Sequence, residues 1–264
     1  MILKKKWRIL TVGDGDLSFS YSLYKYHQPA HLTATVYDSQ TIMTNKYNEN
    51  GYQALKETSV PLLFNFDVTD KNSWSSLVKR NFDVVIFQFP LLPAFRSFDE
   101  YKNRGQQTSI NTLNRSLLRT FLKNAFEHFL DPEGEQLCFI TSKDVKPYRE
   151  WNIENSLHQQ TNFHYLGSSL FDIATFPGYK IRNVDRDKHV RDTHGRTYVW
   201  SSQPAHTIQK NLEAPMYQNE NCCTICRAGP FTTEFDRIEH NTSKKHQHML
   251  QFEASWLTLL ESEL

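Results

Sequence analysis

Two glycines and two aspartates near the N-terminus form the stretch best suited to chemistry, Gly13-Asp14-Gly15-Asp16. An apolar run precedes it and an amphipathic segment that includes Ser18 follows it, a pattern typical of a strand, a tight loop and a helix. Glycines adopt positive φ and let a ligand approach bare backbone, and the amides that open the next helix point at that ligand. The pattern predicts either a nucleotide-type binding loop or an ordinary strand-to-helix turn.

The two carboxylates narrow the class of ligand. Asp14 and Asp16 would repel a pyrophosphate, but they suit a ligand that carries an ammonium group and hydroxyls. Ser18 stands where the dinucleotide-binding fingerprint has its third glycine. S-adenosylmethionine has an amino-acid end, a ribose and a sulfonium, so it fits this loop better than NAD, FAD or ATP.

Polar residues also follow the next predicted strands. The second strand covers 31–37 and the third covers 61–66, and both run into an aspartate. The fourth, 82–90, is a nearly continuous apolar run, as a strand buried on both faces requires. The polar residues at these strand ends are Asp38, Asp67 and Gln88, and Ser39 directly follows Asp38.

Ligands of open α/β sheets bind outside the carboxyl ends of the strands, so these polar residues are expected to converge with Asp14 and Asp16 on one crevice. Asp38 lies 23 positions beyond Gly15, close to the interval of roughly 20 residues at which an acidic side chain meets the ribose hydroxyls of a bound nucleotide. A capping or turn role for Asp38 and Ser39 is the alternative interpretation.

The remaining elements complete an α/β pattern. The periodicity of 109–130 predicts a long helix, and 135–141 reads as a fifth strand. Segments 163–173 and 197–201 are expected to form a closing antiparallel pair. Further helices are expected over 17–25, 41–56 and 151–160.

Composition bounds the class of protein. The chain has 264 residues, 39% of them hydrophobic, and a formal net charge of +1, so nucleic-acid binding would have to come from local patches. No apolar stretch approaches the length of a membrane span, and the N-terminus lacks an apolar signal core. We therefore expect a cytoplasmic protein, nuclear or nucleolar in a eukaryote, without a membrane partner.

Cysteines and histidines near the C-terminus have the spacing of a structural zinc finger. Two residues separate Cys223 from Cys226, thirteen follow before His240, and five more precede His246. Two thiolates and two imidazoles form a closed tetrahedral site that supplies folding energy to a short segment. The expected small core of the finger is Phe231, Phe235 and Ile238.

These patterns divide the chain into four parts. Residues 1–202 are expected to form the cofactor-binding domain, 203–221 a linker, 222–250 the finger and 251–264 a C-terminal helix. That helix is expected to pack on the finger or on a protein partner.

Several motifs in order give the chain a family resemblance over roughly Arg8 to Trp200. It resembles the Rossmann-like methyltransferase domain of the large-subunit rRNA uridine-N3 methyltransferase family. The resemblance implies an α/β fold with a mostly parallel sheet and an antiparallel closing strand. The motifs are Val12 to Ser20, Ala34 to Ser39, Phe82 to Pro90, Asn114 to Leu118, Pro147 to Trp151 and Phe176 to Tyr179.

The resemblance also implies roles for individual residues. S-adenosylmethionine would be bound by Gly13 to Ser18, with the ribose held by Asp38 and the adenine near Asp67 and Val68. The chain has Gln88-Phe89-Pro90 where the family usually has Asn-Phe-Pro. The Gln88 amide is expected to hydrogen-bond a base edge, with Phe89 or a neighbour as a stacking face. The finger resembles the U1/matrin type, which is often attached to RNA-binding proteins.

Two hypotheses of different classes follow. The first is an S-adenosylmethionine-dependent methyltransferase of a base ring nitrogen, uridine N3 in rRNA, with the finger helping to engage RNA. The second is a non-catalytic RNA-binding or ribosome-assembly protein on the same fold. A dinucleotide oxidoreductase is disfavoured by Asp14, Asp16 and Ser18. The proton acceptor is left open among Asp16, Asp144 and His194, and the mixed-charge loop 180–196 is either a phosphate grip or a solvated loop.

Overall fold

The computed structural model describes residues 1–74, 77–92, 108–182, 194–215 and 217–262. Its centre is a sheet of seven strands in the order β3-β2-β1-β4-β5-β7-β6. The strands are β1 Arg8–Val12, β2 His31–Thr35, β3 Leu62–Leu63, β4 Val84–Gln88, β5 Leu137–Lys143, β6 His164–Phe171 and β7 Gly195–Ser201.

The sheet is mostly parallel, as predicted. Strands β1 to β5 run parallel to their neighbours, and β7 is antiparallel to both β5 and β6. Val85 on β4 pairs with Leu10 on one side and with Cys138 on the other. The strand order reverses between β1 and β4, and this switch point is where open α/β sheets form their ligand crevice.

Helices cover both faces of the sheet and continue into the C-terminal segment. Two of them extend directly into π-helical turns, at Leu23–His27 after the first and at Ala125–Phe129 after the fourth. The helices are α1 Ser18–Ser22, α2 Gln40–Lys46, α3 Tyr52–Lys56, α4 Ile110–Asn124, α5 Ile153–Ser156, α6 Glu234–Thr242 and α7 Lys244–Ser262. Short 3-10 turns lie at Lys71–Trp74, Tyr148–Trp151, Ile173–Thr175 and Thr207–Asn211.

Several predicted elements are shorter than expected. The helix expected over 151–160 is reduced to Ile153–Ser156, and Asn152, with a left-handed φ of 47°, separates it from the preceding 3-10 turn. The single helix expected over 41–56 is two helices, because the chain turns before Gly51, whose N–H donates to the Asp16 carbonyl at 2.7 Å. The third strand has two residues because Asn65 takes a left-handed φ of 55° and ends it. The long helix over 109–130 and the closing antiparallel pair are confirmed.

The core lies on both faces of β4, as its continuous apolar sequence predicts. Val85 and Phe87 pack with α4 on one face, and Val84 and Ile86 pack on the other. Four of the five β4 residues are buried. The sheet is therefore a rigid support for side chains at its carboxyl edge.

The segment predicted as a linker is packed on the sheet edge. Glu213 exchanges backbone hydrogen bonds with Ser168 on β6, at 3.0 and 2.7 Å, and Ile208 is buried. The boundary expected between residues 250 and 251 falls inside α7. Among the described residues, no helix is both long enough and apolar enough to cross a bilayer.

Candidate functional site

The loop after β1 has the left-handed backbone predicted for its glycines at Gly13, but not at Gly15. Gly13 has a φ of +63°, and a Cβ added there would lie 2.9 Å from the Phe87 ring on β4. An L-residue would be strained by the conformation and crowded by that ring. Gly13 therefore brings its backbone against the neighbouring strand at the switch point.

Asp14 lies under this loop and is 6% exposed. Its Oδ2 accepts a hydrogen bond from the Ser20 backbone N–H at 2.7 Å. Burial, and after it the charge of Asp16, raise the pKa of Asp14 above its ordinary value, against hydrogen bonds from Ser20 and Phe19. Asp14 thus ties the loop to the start of α1.

Asp16 forms an ion pair with Arg182, which is distant in sequence. Its Oδ1 accepts from the Ser18 N–H at 3.0 Å, and its Oδ2 accepts from Arg182 Nε at 2.6 Å. Arg182 also donates to the Glu49 carbonyl at 2.6 Å and lies over the Tyr47 ring. The sequence pattern gave no signal for this pair beyond the position of Arg182 shortly after the Phe176 to Tyr179 motif.

The ends of β2 and β3 bring the other expected cofactor residues to the same edge. Asp38 Oδ2 accepts from Lys46 Nζ at 2.7 Å, and Ser39 caps α2 by accepting from the Ile42 N–H at 3.2 Å. The capping interpretation of Ser39 is therefore correct for its side chain.

Asp67 closes a turn after β3. Its Oδ1 accepts from the Thr69 N–H at 2.8 Å and from the Thr69 hydroxyl at 2.7 Å. Val68 is buried, and its carbonyl accepts from Asn124 Nδ2 on α4 at 2.8 Å. The backbone of this turn is thus held in one conformation.

Gln88, at the end of β4, has an amide without a partner. Both its Oε1 and its Nε2 are buried, and neither has a hydrogen-bond partner within the described part of the chain. A buried amide with no partner costs about 1–3 kcal/mol, so such a group is a candidate for contact with a ligand.

The residues after Gln88 have a constrained backbone. Phe89 has a φ of 46°, unusual for a bulky residue, and its N–H donates to the Thr141 carbonyl at 2.8 Å. Its ring packs edge-on against Phe171, 5.5 Å between centroids. Pro90 is buried after it. The Phe89 ring contacts protein here, and its backbone conformation fixes the position of Gln88.

Charged and aromatic residues follow β5 on the same side. The Lys143 ammonium lies 5.4 Å from the centre of the Tyr148 ring, and burial lowers the pKa of Lys143. Trp151 is 2% exposed and packs in the core, whereas Tyr148 is only partly buried. Tyr148 is therefore the residue of this pair with a surface available to a base.

The three candidate proton acceptors lie in different settings. Although burial of Asp144 opposes it, the ion pair with Arg149 at 2.8 Å lowers the pKa of Asp144. Asp16 is paired with Arg182, and His194 is exposed with its carbonyl bonded to the Asp144 N–H. Asp144 therefore stays ionised beside Arg149, which makes it a fixed negative charge rather than a group that readily takes up a proton.

The predicted metal ligands come together at the C-terminus. The ligand atoms of Cys223, Cys226, His240 and His246 all lie within 4.8 Å of one another. The His246 Nδ1 is 3.6 Å from the Cys223 sulfur and 3.4 Å from the Cys226 sulfur. The His240 Nε2 is buried and has no hydrogen-bond partner among the described residues. This donor set and spacing fit a tetrahedral zinc ion.

The predicted core of the finger is only partly correct. Phe231 packs on the His240 ring, 4.9 Å between centroids. Phe235 is 73% exposed and Ile238 is 53% exposed, so neither belongs to a core. The ligand rings and Phe231 fill the small interior, and the nine-residue α6 turns its other apolar side chains to solvent.

Comparison with known proteins assigns the sheet domain. The BMT5-like family, described as rRNA (uridine-N3-)-methyltransferase BTM5-like, matches residues 10–183, well over half of the chain. The chain belongs to this family. The match includes Arg182 and the Gln88 motif, and it ends before the Cys/His cluster.

Two curated relatives are similar to this BMT5-like chain. The Saccharomyces cerevisiae 25S rRNA (uridine(2634)-N(3))-methyltransferase is 24% identical over 263 residues, 81% of this chain and 78% of that protein. Heavy metal-associated isoprenylated plant protein 41 of Arabidopsis thaliana is 29% identical over 181 residues, 67% of this chain and 33% of that protein. The chain thus spans about a third of the length of the plant relative.

A solved structure aligns with about three quarters of the chain at low identity. The M. jannaschii TYW2 in complex with AdoMet has a TM-score of 0.40 and 12% identity, and the alignment covers 76% of this chain and 71% of that chain. The family description and the name of the yeast relative both refer to rRNA uridine-N3 methyltransferases.

Proposed function

We propose that this BMT5-like chain transfers a methyl group from S-adenosylmethionine to a base ring nitrogen in rRNA, specifically uridine N3. The observation that carries the proposal is the buried amide of Gln88 at the end of β4, which no described residue hydrogen-bonds, next to the glycine loop at the switch point. The uracil edge offers a carbonyl acceptor and an N–H donor. The Gln88 Nε2 can donate to such a carbonyl and leave N3 free. N3 loses its proton to a general base as the bond from the methyl carbon to N3 forms and its bond to sulfur breaks.

The residues present fit the cofactor chemically. The backbone of Gly13 to Ser18 would hold its amino-acid end, with Gly15 in the turn, and Asp38 would accept from the ribose hydroxyls. The turn at Asp67 and Val68 would receive the adenine. Asp16, which is shared with Arg182, and Asp14 in its ionised form would place negative charge near a cationic ligand. When bound, S-adenosylmethionine supplies an electrophilic methyl group.

Positioning supplies most of the rate in such a transfer. The nucleophilic nitrogen, the methyl carbon and the sulfur must be nearly in line, so the protein needs no covalent nucleophile. Gln88 would orient the base through its edge, and the constrained Phe89 backbone would hold Gln88 in place. Tyr148 and Lys143 would contact the RNA from the end of β5.

We also assign the Cys/His cluster to a structural zinc ion that supports an RNA-contacting finger. All four positions of the ion would be filled by protein, so it would have no catalytic position. Lys244 and Lys245 are exposed at the start of α7 and offer charge to phosphates. We place the protein in the cytoplasm, or in the nucleus or nucleolus of a eukaryotic cell.

Calorimetric titration with S-adenosylmethionine tests the cofactor assignment. The zinc-loaded chain is expected to bind the cofactor, and Asp38→Ala is expected to weaken binding about tenfold or more, the value of one lost charged hydrogen bond. Glu133→Ala, at an exposed site in the turn before β5, is the matched control and should bind as the wild type does. No binding by the wild type would overturn the proposal.

One observation favours the second candidate function, a non-catalytic RNA-binding or assembly protein. The carboxylates of Asp16 and Asp38 already hold Arg182 and Lys46. A chain that had lost methyl transfer could keep its fold through such pairs. Detection of the methylated nucleoside separates the two functions.

A further inference from the structure

Two buried arginine–glutamate pairs join the C-terminal segment to the sheet domain. Arg115 on α4 donates from Nη2 to Glu253 Oε1 on α7 at 2.7 Å, and its side chain is fully buried. Arg227, next to the ligand Cys226, donates to Glu154 Oε1 on α5 at 3.3 Å and is 5% exposed. The cation belongs to the sheet domain in one pair and to the finger in the other.

Helix α7 connects the metal cluster to the domain directly. It carries His246 in its first turn and Trp256 three turns later. Trp256 is fully buried, its indole N–H donates to the Ser156 carbonyl at 3.3 Å, and the Arg115 guanidinium lies 5.9 Å from its ring centre. Trp256 therefore anchors α7 on the sheet domain.

Arg227 forms the second connection. It has a left-handed φ of 49°, and it reaches the Tyr198 hydroxyl at 3.5 Å and the Asp144 carboxylate at 3.9 Å. A buried charge that loses its partner is destabilising, so each arginine requires the opposite side of the interface to be in place.

Both connections end on the same short segment, residues 148–156. Arg115 also donates to the Glu150 carbonyl at 3.0 Å, and Asn152 donates to Glu253 at 3.3 Å. Glu154 and Ser156 complete the contacts from this segment. It begins just after β5, where Tyr148 and Lys143 lie at the carboxyl edge of the sheet.

We propose that the finger is a positioning element of the methyltransferase site. Metal binding fixes Arg227 and the first turn of α7, and through Glu154, Arg115 and Glu253 these hold residues 148–156 at the edge where RNA enters. The role of this edge rests on the proposed function, but the mechanical coupling does not. Arg227 and Glu253 act through the segment, so they are positioning residues.

Hydrogen exchange of the full chain, followed by mass spectrometry, tests the coupling. Removing zinc with a chelator is expected to raise exchange in 148–156 about tenfold or more, while strands β1 and β4 keep their protection. Arg227→Ala should give the same change with zinc still bound, as measured by metal content. Glu253→Gln, which keeps the side-chain shape, should also raise exchange there, and Arg227→Lys should partly restore protection.

Arg237→Ala is the matched control, since Arg237 pairs with Glu234 on the exposed surface of α6. It should leave exchange unchanged. Unchanged protection of 148–156 after zinc removal and in both Arg227→Ala and Glu253→Gln would overturn the proposal and leave the finger as an independent module. These outcomes are read without any methyl transfer, so failure of the proposed function is recognised separately, by the absence of cofactor binding.

Discussion

Each acidic side chain of the candidate cofactor site is already bound to a protein group. Asp14 accepts from the start of α1, Asp16 holds Arg182, and Asp38 holds Lys46. The residue types and spacing predicted carboxylates at this edge, but they did not predict the cations, since Arg182 lies far from Asp16 in sequence. A cationic ligand must therefore share these carboxylates with Arg182 and Lys46.

Asp14 predicts a pH dependence of stability. Its pKa rises from 3.8 to about 7 on folding, so the folded state binds more protons, and this stabilisation is full below the ordinary value and lost as pH rises through about 7. As the pH rises from 3.8 to about 7, the free energy of unfolding of the wild type should fall by about 2–4 kcal/mol relative to that of Asp14→Asn. Urea unfolding measures this difference.

Asp70→Asn, at an exposed turn, is the control and should follow the pH dependence of the wild type. Identical pH dependence of the wild type and Asp14→Asn would contradict the buried, proton-binding state of Asp14.

The close approach of Gly13 to Phe87 leads to a prediction about stability. Gly13→Ala must place a Cβ 2.9 Å from the Phe87 ring at a φ of +63°. Gly178→Ala adds a Cβ at a φ of +85° with no atom within 4 Å, so it measures the conformational strain alone. Thermal unfolding should show Gly13→Ala less stable than Gly178→Ala by about 1–3 kcal/mol. Equal losses would mean that Phe87 does not crowd the loop.

Among the elements, those governed by local pattern were predictable. The apolar run of β4 and the periodicity of α4 identify both elements because burial and hydrophobic periodicity are written in neighbouring residues. The break between α2 and α3 was not predicted, because its cause is a hydrogen bond from Gly51 to the Asp16 carbonyl across the loop. Contacts between segments that are distant in sequence produce no periodic pattern of residues that could be recognised.

The packing of α3 against the cofactor loop gives a prediction. A Cβ on Gly51 would lie 2.3 Å from the Leu17 carbonyl oxygen, although the Gly51 φ of −83° suits any residue. Gly51→Ala should therefore move α3 away from the loop, lower stability by about 1–3 kcal/mol and weaken cofactor binding. Gln53→Ala, exposed on the same helix, is the control. Calorimetric titration that finds wild-type cofactor affinity in Gly51→Ala would contradict this role of α3.

At the scale of the whole molecule, the spacing of cysteines and histidines predicted the ligand cluster, since such sites are formed within a short segment. It did not predict that the cluster is anchored to the sheet domain. That anchor depends on the contact of Arg115 with Glu253 and of Trp256 with Ser156. In each pair the two residues are far apart in the sequence. The formal charge of +1 likewise hides local basic edges.

The basic edge of the finger predicts a change in the salt dependence of RNA binding. Replacing both Lys244 and Lys245 by alanine should reduce the slope of log affinity against log salt concentration by about 1–2, because each phosphate contact contributes somewhat less than one unit. The control is Lys5→Ala with Lys210→Ala, two exposed lysines outside the finger. An unchanged slope would show that these two lysines do not contact RNA phosphates.

In the proposed function, a methyl group is transferred from this site to an RNA base. The direct measurement is mass spectrometry of nucleosides from RNA of a strain lacking the protein, after incubation with the zinc-loaded chain and S-adenosylmethionine. We expect 3-methyluridine with the wild type, and at least about a tenfold loss with Gln88→Leu while cofactor affinity is kept. A wild-type chain that binds the cofactor and RNA but forms no methylated nucleoside would contradict the account and leave a non-catalytic RNA-binding protein.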